Sequence, residues 1–166
     1  MRLISSNKLN LKFLSAINGI LIFILVVGLG AVIRENTTLT VNMSGSLEGK
    51  YYFVVKSYGQ PLDLKTGDYV AFTHPWVPGL LIKKVRGVPG DVVIHVNDKS
   101  FVNEELIGPI LTMSHDNKTL TPGPQVIIPQ GFYFVAGDHA RSFDSRYAEV
   151  GLLTKEKIYG KAYKLF

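Results

Sequence analysis

The 166-residue chain contains no cysteine, which excludes disulfides, thiolate catalysis and cysteine-ligated zinc. This absence is compatible with an oxidising compartment but does not establish one. Histidine is also scarce, and the four present (His74, His95, His115 and His139) include no pair at metal-ligand spacing. Although carboxylates leave a metal site formally open, we expect neither a metal nor any other cofactor.

Acidic residues are the minority, with 13 Asp and Glu against 18 Lys and Arg, for a net charge of +5. The basic residues are spread along the chain and form no dense cluster interleaved with aromatic residues. The sequence therefore predicts no nucleic-acid surface, and its charge excess is consistent with mild attraction to anionic lipid.

One long apolar run stands near the N-terminus. Residues 1–12 carry three basic residues and no acid, and residues 13–33 are apolar except for Ser15 and Asn18. From residue 13 the run reaches about 20 residues, the length that spans a bilayer. Because positive charge precedes the run, we expect residues 1–12 in the cytoplasm, a transmembrane anchor over 13–34 and an external domain over 35–166.

A cleaved secretory signal peptide is the competing interpretation of this run. Gly28-Leu29-Gly30 has the small-x-small pattern of a cleavage site. The anchor is favoured because the apolar stretch is long for the hydrophobic region of a signal peptide.

The rest of the chain is rich in short strand-like segments. A polar tether is expected over residues 35–40, a hairpin turn at 97–100, and loops at 61–67, 74–79, 107–124 and 137–150. Loop 107–124 is either a substrate-gating flap or inert. The fold class predicted is mainly β, an antiparallel barrel or sandwich on one N-terminal transmembrane helix. The expected strands are 50–56, 68–73, 80–88, 92–96, 101–106, 126–128, 131–136 and 157–165.

The strand that begins at residue 80 reads LLIKKVRGVPGD. Side chains alternate between faces, so Lys83 shares a face with Leu81 and Val85, whereas Lys84 shares the other, expected to be solvated, with Ile82 and Arg86. A lysine on an apolar face either extends its amine to water or is desolvated, which favours the neutral base form. The strand alone favours the first interpretation.

Two other segments carry polar side chains that suit catalysis. Ser46 follows Ser44 and Gly45 in a Ser/Gly-rich turn before a strand, and this segment alone favours an ordinary turn. The alternative is that Ser46 is a nucleophile, which requires a base. No histidine lies in a Gly-x-Ser-x-Gly motif, so Lys83 is the candidate partner. The second segment is loop 137–147, GDHARSFDSRY, which contains two aspartates, two arginines and two serines. It is either a solvated loop or a rigid polar wall.

Three ordered blocks of this sequence resemble the signal peptidase I family (serine peptidase family S26) of membrane-anchored serine peptidases. They are Ser44-Gly45-Ser46-Leu47, the I-K-K-V-R-G-V-P-G-D stretch of residues 82–91, and Gly137-Asp138 followed by Ser142-Phe143-Asp144-Ser145-Arg146-Tyr147. The short chain, Asn42 and Tyr52 are most similar to the conjugative-transfer branch that matures pilin.

The resemblance implies a role for each matching position. Ser46 is the nucleophile and Lys83 the general base, and the Ser46 amide with the Ser44 hydroxyl forms the oxyanion hole. Ser142 orients Lys83, and Asp144 with Arg146 supports the loop. Glu48 stands where the family usually has proline, and the last block is one residue shorter than usual before Ser142, which weakens any role for Asp138.

The function implied is cleavage of signal peptides from exported pre-proteins, above all a conjugative pilin precursor, with a linear or cyclised product. The enzyme would be anchored in the bacterial inner membrane, with its catalytic domain in the periplasm, in contact with lipid and with conjugation machinery. Two alternatives stay open: a catalytically silent assembly protein of a conjugation or secretion apparatus, and a self-cleaving Ser-Lys repressor-type protein.

Overall fold

The computed structural model describes residues 4–42, 45–58, 60 and 62–165, and its side chains from residue 13 onwards. The chain divides into two compact units, Met1–Thr37 and Thr38–Phe166.

The first unit is a single helix, α1 (Ile4–Asn36). Its segment Phe13–Asn36 contains an 18-residue stretch with a mean hydropathy of 2.7 and is long and apolar enough to cross a membrane, as a signal sequence would also be. The polar tether expected over residues 35–40 is wrong, because the helix runs to Asn36 and a strand begins at Thr37. The Asn36 amide and Thr37 hydroxyl donate to the carbonyls of Val32 (2.7 Å) and Ile33 (2.6 Å), which satisfies the last helical turn.

The largest sheet has seven strands in the order β1-β2-β11-β3-β4-β9-β10. Every pair from β2 to β10 is antiparallel. The predicted fold, mainly antiparallel β with one N-terminal apolar helix, is confirmed. The strands are β1 (Thr37–Val41), β2 (Tyr51–Lys56), β3 (Tyr69–His74), β4 (Val77–Gly87), β9 (Phe132–Ala136), β10 (Leu153–Thr154) and β11 (Ile158–Lys164).

The loop predicted over residues 74–79 is largely strand. β3 continues to His74 and β4 already starts at Val77, so only two residues form the turn. Pro78 is tolerated because it lies in a register shift between the pairs Thr73–Leu80 and His74–Val77. A missing N–H costs no ladder hydrogen bond there.

The second sheet has four strands in the order β7-β6-β5-β8. The expected hairpin after β5 is present, but the single strand predicted over residues 101–106 is wrong. Asn103 has a left-handed backbone (φ 53°), which asparagine tolerates, and it turns the chain into a second hairpin. The strands are β5 (Val92–Val96), β6 (Lys99–Val102), β7 (Glu105–Pro109) and β8 (Val126–Ile127).

β4 is buried on both faces where it carries the candidate base. Leu81 and Val85 belong to one apolar cluster with Phe72 and Val135. Ile82, on the opposite face, packs into a second cluster. The expectation that the Ile82 face is solvated is therefore wrong at this position, and the site residue Lys83 lies on a strand fixed from two sides.

Candidate active site

Ser46 lies in a tight turn before β2 and is 2% exposed. Gly45, just before it, has a φ of 58°, a left-handed conformation that costs glycine little. The turn is held from both ends. The side-chain amide of Asn42 donates to the carbonyls of Leu47 (3.2 Å) and Gly49 (3.3 Å), and the Tyr52 hydroxyl donates to the Glu48 carbonyl (2.8 Å).

Lys83 reaches Ser46 from β4. Its Nζ lies 2.7 Å from Ser46 Oγ and 2.9 Å from Ser142 Oγ, and the residue is 1% exposed. As an ammonium it donates to both hydroxyls. As a neutral amine it can donate to Ser142 and accept the Ser46 proton. The arrangement allows an activated serine, with the second hydroxyl fixing the amine.

Burial lowers the pKa of Lys83 to about 8. The Asp144 carboxylate acts in the opposite direction and raises this pKa, whereas the Arg146 guanidinium lowers it further. The neutral amine is then about one in ten at pH 7, a roughly 300-fold larger share than for a lysine with a pKa of 10.5. The desolvated interpretation of Lys83 is favoured over a solvent-exposed amine, although the ammonium stays the major form at pH 7.

The second half of the loop, from Ser142 to Tyr147, is a largely buried polar wall, whereas residues 138–141 are exposed. Asp144 and Arg146 are each 0% exposed. The guanidinium binds both carboxylate oxygens at 2.9 Å, and it donates to the Ser142 carbonyl at 3.0 Å. It also donates to the carbonyls of His139, Ala140 and Pro109. The ion pair thus fixes the backbone on either side of Ser142.

Two residues at the start of this loop lie directly against Ser46. The Asp138 N–H donates to the Ser46 carbonyl at 2.7 Å, and its carboxylate pairs with Arg86, which also binds Glu105 at 2.9 Å. Gly137 has no room for a side chain, because an added Cβ would collide with Ser142 Oγ and the Ser46 carbonyl. The sequence predicted a weakened role for Asp138, and these contacts favour a positioning role for it.

Sequence reasoning missed the positioning contacts of Arg86, Asn42 and Tyr52. Arg86 lies three residues after Lys83, on the opposite strand face, and no spacing rule pairs it with the distant Asp138. The five predicted residues Ser46, Lys83, Ser142, Asp144 and Arg146 come together. The sixth, Ser44, which the sequence predicts as an oxyanion donor, lies outside the described residues.

Ser46 and Lys83 line a cavity of about 530 Å³. Trp76, Val77 and Leu81 line one part of it. Seven residues between 111 and 120, in the segment predicted as loop 107–124, line another part. Within the described part of the chain, no group of three His, Cys, Asp or Glu residues could hold a metal ion. Besides Ser46 and Lys83, the remaining lining residues are His139, Arg141, Ser142, Phe143 and Tyr147.

Comparison with known families agrees with this geometry. The family model described as signal peptidase, peptidase S26 matches residues 11–166. The chain belongs to the signal peptidase S26 family. The match includes every site residue described above.

The individual relatives share about a third or less of their aligned residues with this chain and match only part of it. Signal peptidase I of Pseudomonas fluorescens is 30% identical over 140 residues, which cover 63% of this chain and 49% of that protein. Signal peptidase I P of Bacillus subtilis subsp. natto is 32% identical over 123 residues, covering 69% and 65%. The chain thus spans about half of the first relative and just under two thirds of the second. The crystal structure of a signal peptidase I from Enterococcus faecalis V583 is 23% identical with a TM-score of 0.38, covering 60% of this chain and 97% of that one.

Proposed function

We propose that this S26 family member is a membrane-anchored serine endopeptidase that removes signal peptides from exported pre-proteins. The observation that carries the proposal is the buried amine of Lys83, 2.7 Å from Ser46 Oγ. A buried lysine has a lowered pKa and can serve as a general base, and serine needs such a base.

The reaction proceeds through an acyl-enzyme. Neutral Lys83 takes the Ser46 proton while Ser46 Oγ bonds to the scissile carbonyl carbon, and the oxyanion is held by the Ser46 amide and the Ser44 hydroxyl. When the intermediate collapses, the C–N bond breaks and the Lys83 ammonium protonates the leaving amine. Lys83 then deprotonates a water that attacks the ester, and Ser46 leaves with the proton.

The supporting residues hold this geometry. Ser142 orients the Lys83 amine by accepting its second hydrogen bond at 2.9 Å. Asp144 and Arg146 keep Ser142 in place through the Ser142 carbonyl. A general base must lie within hydrogen-bond reach of the proton it abstracts, and the loop maintains that condition.

We assign the substrate and location by resemblance. The substrate is a conjugative pilin precursor with small residues at the first and third positions before the cut, and attack by an amine in place of water would cyclise the product. The basic residues before the apolar helix favour an N-terminus in the cytoplasm and a catalytic domain on the periplasmic face of the inner membrane. Inner-membrane lipid and conjugation machinery are its partners.

Separate Ser46→Ala and Lys83→Ala variants in membranes test the proposal, with pre-pilin or pre-protein cleavage as the readout. Each should lower kcat/KM by at least about a thousandfold, because both groups take part in the same step. Lys84→Ala, on the adjacent residue, and Ser100→Ala, a buried serine in the other sheet, are the matched controls and should retain activity. Undiminished cleavage by either dyad variant would exclude this mechanism.

The same variants discriminate the proposal from the assembly-protein alternative. A silent scaffold predicts no cleavage by the wild type and normal assembly by both dyad variants. The self-cleaving alternative predicts a shortened chain without any added substrate.

A further inference from the structure

The catalytic cavity has a basic rim. Besides Lys83 and the histidines His115 and His139, the charged side chains that line it are Lys118, Arg141 and a single acid, Asp116. The Asp116 side chain is 75% exposed and lies 3.4 Å from His115. The cavity therefore presents more positive than negative charge to an entering peptide.

Lys118 and Arg141 differ from the other basic side chains near the loop. Arg86 pairs with Asp138 and Glu105, and Arg146 pairs with Asp144. Among the described residues, no carboxylate lies within ion-pair distance of Lys118 or Arg141. The Lys118 ammonium instead lies over the Trp76 ring, 4.9 Å from its centroid.

Both side chains start from ordered backbone on the cavity wall. Lys118 follows the turn of a small hairpin in which the Ser114 N–H donates to the Lys118 carbonyl at 2.9 Å and Met113 bridges Thr119. Arg141 immediately precedes Ser142, and its N–H donates to His139 Nδ1 at 3.1 Å. Arg141 thus lies one residue from the serine that contacts the Lys83 amine.

We propose that Arg141 and Lys118 bind a carboxylate of the peptide substrate close to the scissile bond. The carboxylate is either an acidic side chain within a few residues of the cut or the carboxyl terminus of a short leaving peptide. A guanidinium suits this ligand because its fork of donors matches two carboxylate oxygens. This inference rests on the peptidase function proposed above and narrows its substrate class.

Matched peptides test the inference on the full chain in detergent. Each peptide has alanine at the first and third positions before the cut. A single Glu or Gln is placed in turn at each of the other positions from the fourth before the cut to the fourth after it. Free-acid and amidated C-termini separate the two carboxylate sources. At one position at least, kcat/KM should favour Glu over Gln, or acid over amide, by about threefold to tenfold at low salt. The preference should weaken in 0.5 M salt, in which the Debye length is about 4 Å.

The variants locate the preference. Arg141→Gln and Lys118→Gln should each lower the Glu-to-Gln ratio, and the double variant should bring it to about one. Arg141→Glu should favour a Lys peptide instead. The control Lys99→Gln removes an exposed lysine from β6, which contributes no cavity-lining residue, and should keep the wild-type ratio.

Binding makes the test independent of turnover. The Ser46→Ala variant should bind the Glu or free-acid peptide about threefold to tenfold more tightly than its neutral partner. A ratio of one at every position, or a ratio that survives the double variant, would overturn the inference. Absence of cleavage with preserved carboxylate-selective binding would count against the peptidase function and not against the carboxylate site.

Discussion

Loop 137–147 is held by two ion pairs that differ in their access to water. On its inner side Asp144 and Arg146 are both 0% exposed. On its outer side the side chains of Arg86 and Asp138 are 20% and 32% exposed. The inner pair fixes Ser142, and the outer pair fixes the residue whose N–H holds the Ser46 carbonyl. Breaking the buried Asp144–Arg146 pair should cost far more stability than breaking the partly exposed Arg86–Asp138 pair, because it leaves a desolvated charge without a partner. The inner pair therefore contributes to both stability and positioning, and the outer pair mainly to positioning.

Removing the inner cation should have the largest effect. Arg146→Met leaves the Asp144 carboxylate buried without its partner, and we expect a loss of about 3–5 kcal/mol in the free energy of unfolding. Urea denaturation in detergent, followed by the fluorescence of Trp76, the single tryptophan, measures it.

A second substitution separates charge from packing at the same site. Arg146→Met combined with Asp144→Asn removes the unpaired charge and should recover part of that loss. A single variant as stable as the wild type would show that the inner pair does not hold the loop.

Lys83 is buried beside this loop, and among the described residues no carboxylate forms an ion pair with it. Its replacement should therefore stabilise the fold. Lys83→Met should abolish cleavage and raise the free energy of unfolding by about 1–3 kcal/mol, because it removes a desolvated ammonium.

The pH dependence of that gain follows from the lowered pKa, about 8 in the folded chain against 10.5 for an ordinary lysine. The unfolded chain holds the proton over this interval, so wild-type stability rises with pH from about 8 to 10.5. The gain of the variant is therefore full below pH 8 and shrinks above it. A pH-independent difference would argue against a desolvated amine.

Breaking the outer pair should change stability least. Arg86→Gln is expected to cost less than about 1 kcal/mol, because the pair is partly solvated. It should lower kcat by about threefold to tenfold with little change in KM, since the Asp138 N–H no longer holds the Ser46 carbonyl firmly. Lys84→Gln, two residues earlier and half-buried, is the control. Equal effects of the two variants on kcat would remove the positioning role of Arg86.

The comparison also shows which parts of the site a sequence can predict. Ser46, Lys83 and Ser142 each lie in one of the three sequence blocks that resemble the family, so the sequence predicts that they form one site. Alternation along β4 places Lys83 on the same face as Leu81 and Val85, which predicts its apolar surroundings. The burial of Asp144 and Arg146 could not be predicted, because the loop is polar in sequence and one carbonyl that accepts from Arg146, that of Pro109, comes from a distant segment.

The predictions about the fold that were wrong failed for a similar reason. The tether over residues 35–40 reads as polar, yet its threonines are β-branched and Thr37 begins a strand. The break at Asn103 depends on one left-handed residue, and the burial of Ile82 depends on a second apolar cluster formed by distant segments. Local patterns identify strands, whereas neighbours supplied by the tertiary structure decide burial.

The pH profile of kcat/KM for a neutral peptide substrate tests the central claim, that Lys83 is the base for Ser46. Activity requires the neutral amine, so kcat/KM should rise with pH and level off with a midpoint of about 8, the pKa that burial gives Lys83. A flat profile between about pH 6 and 9, or a midpoint of about 6.5, typical of a histidine base in place of a lysine, would contradict the account.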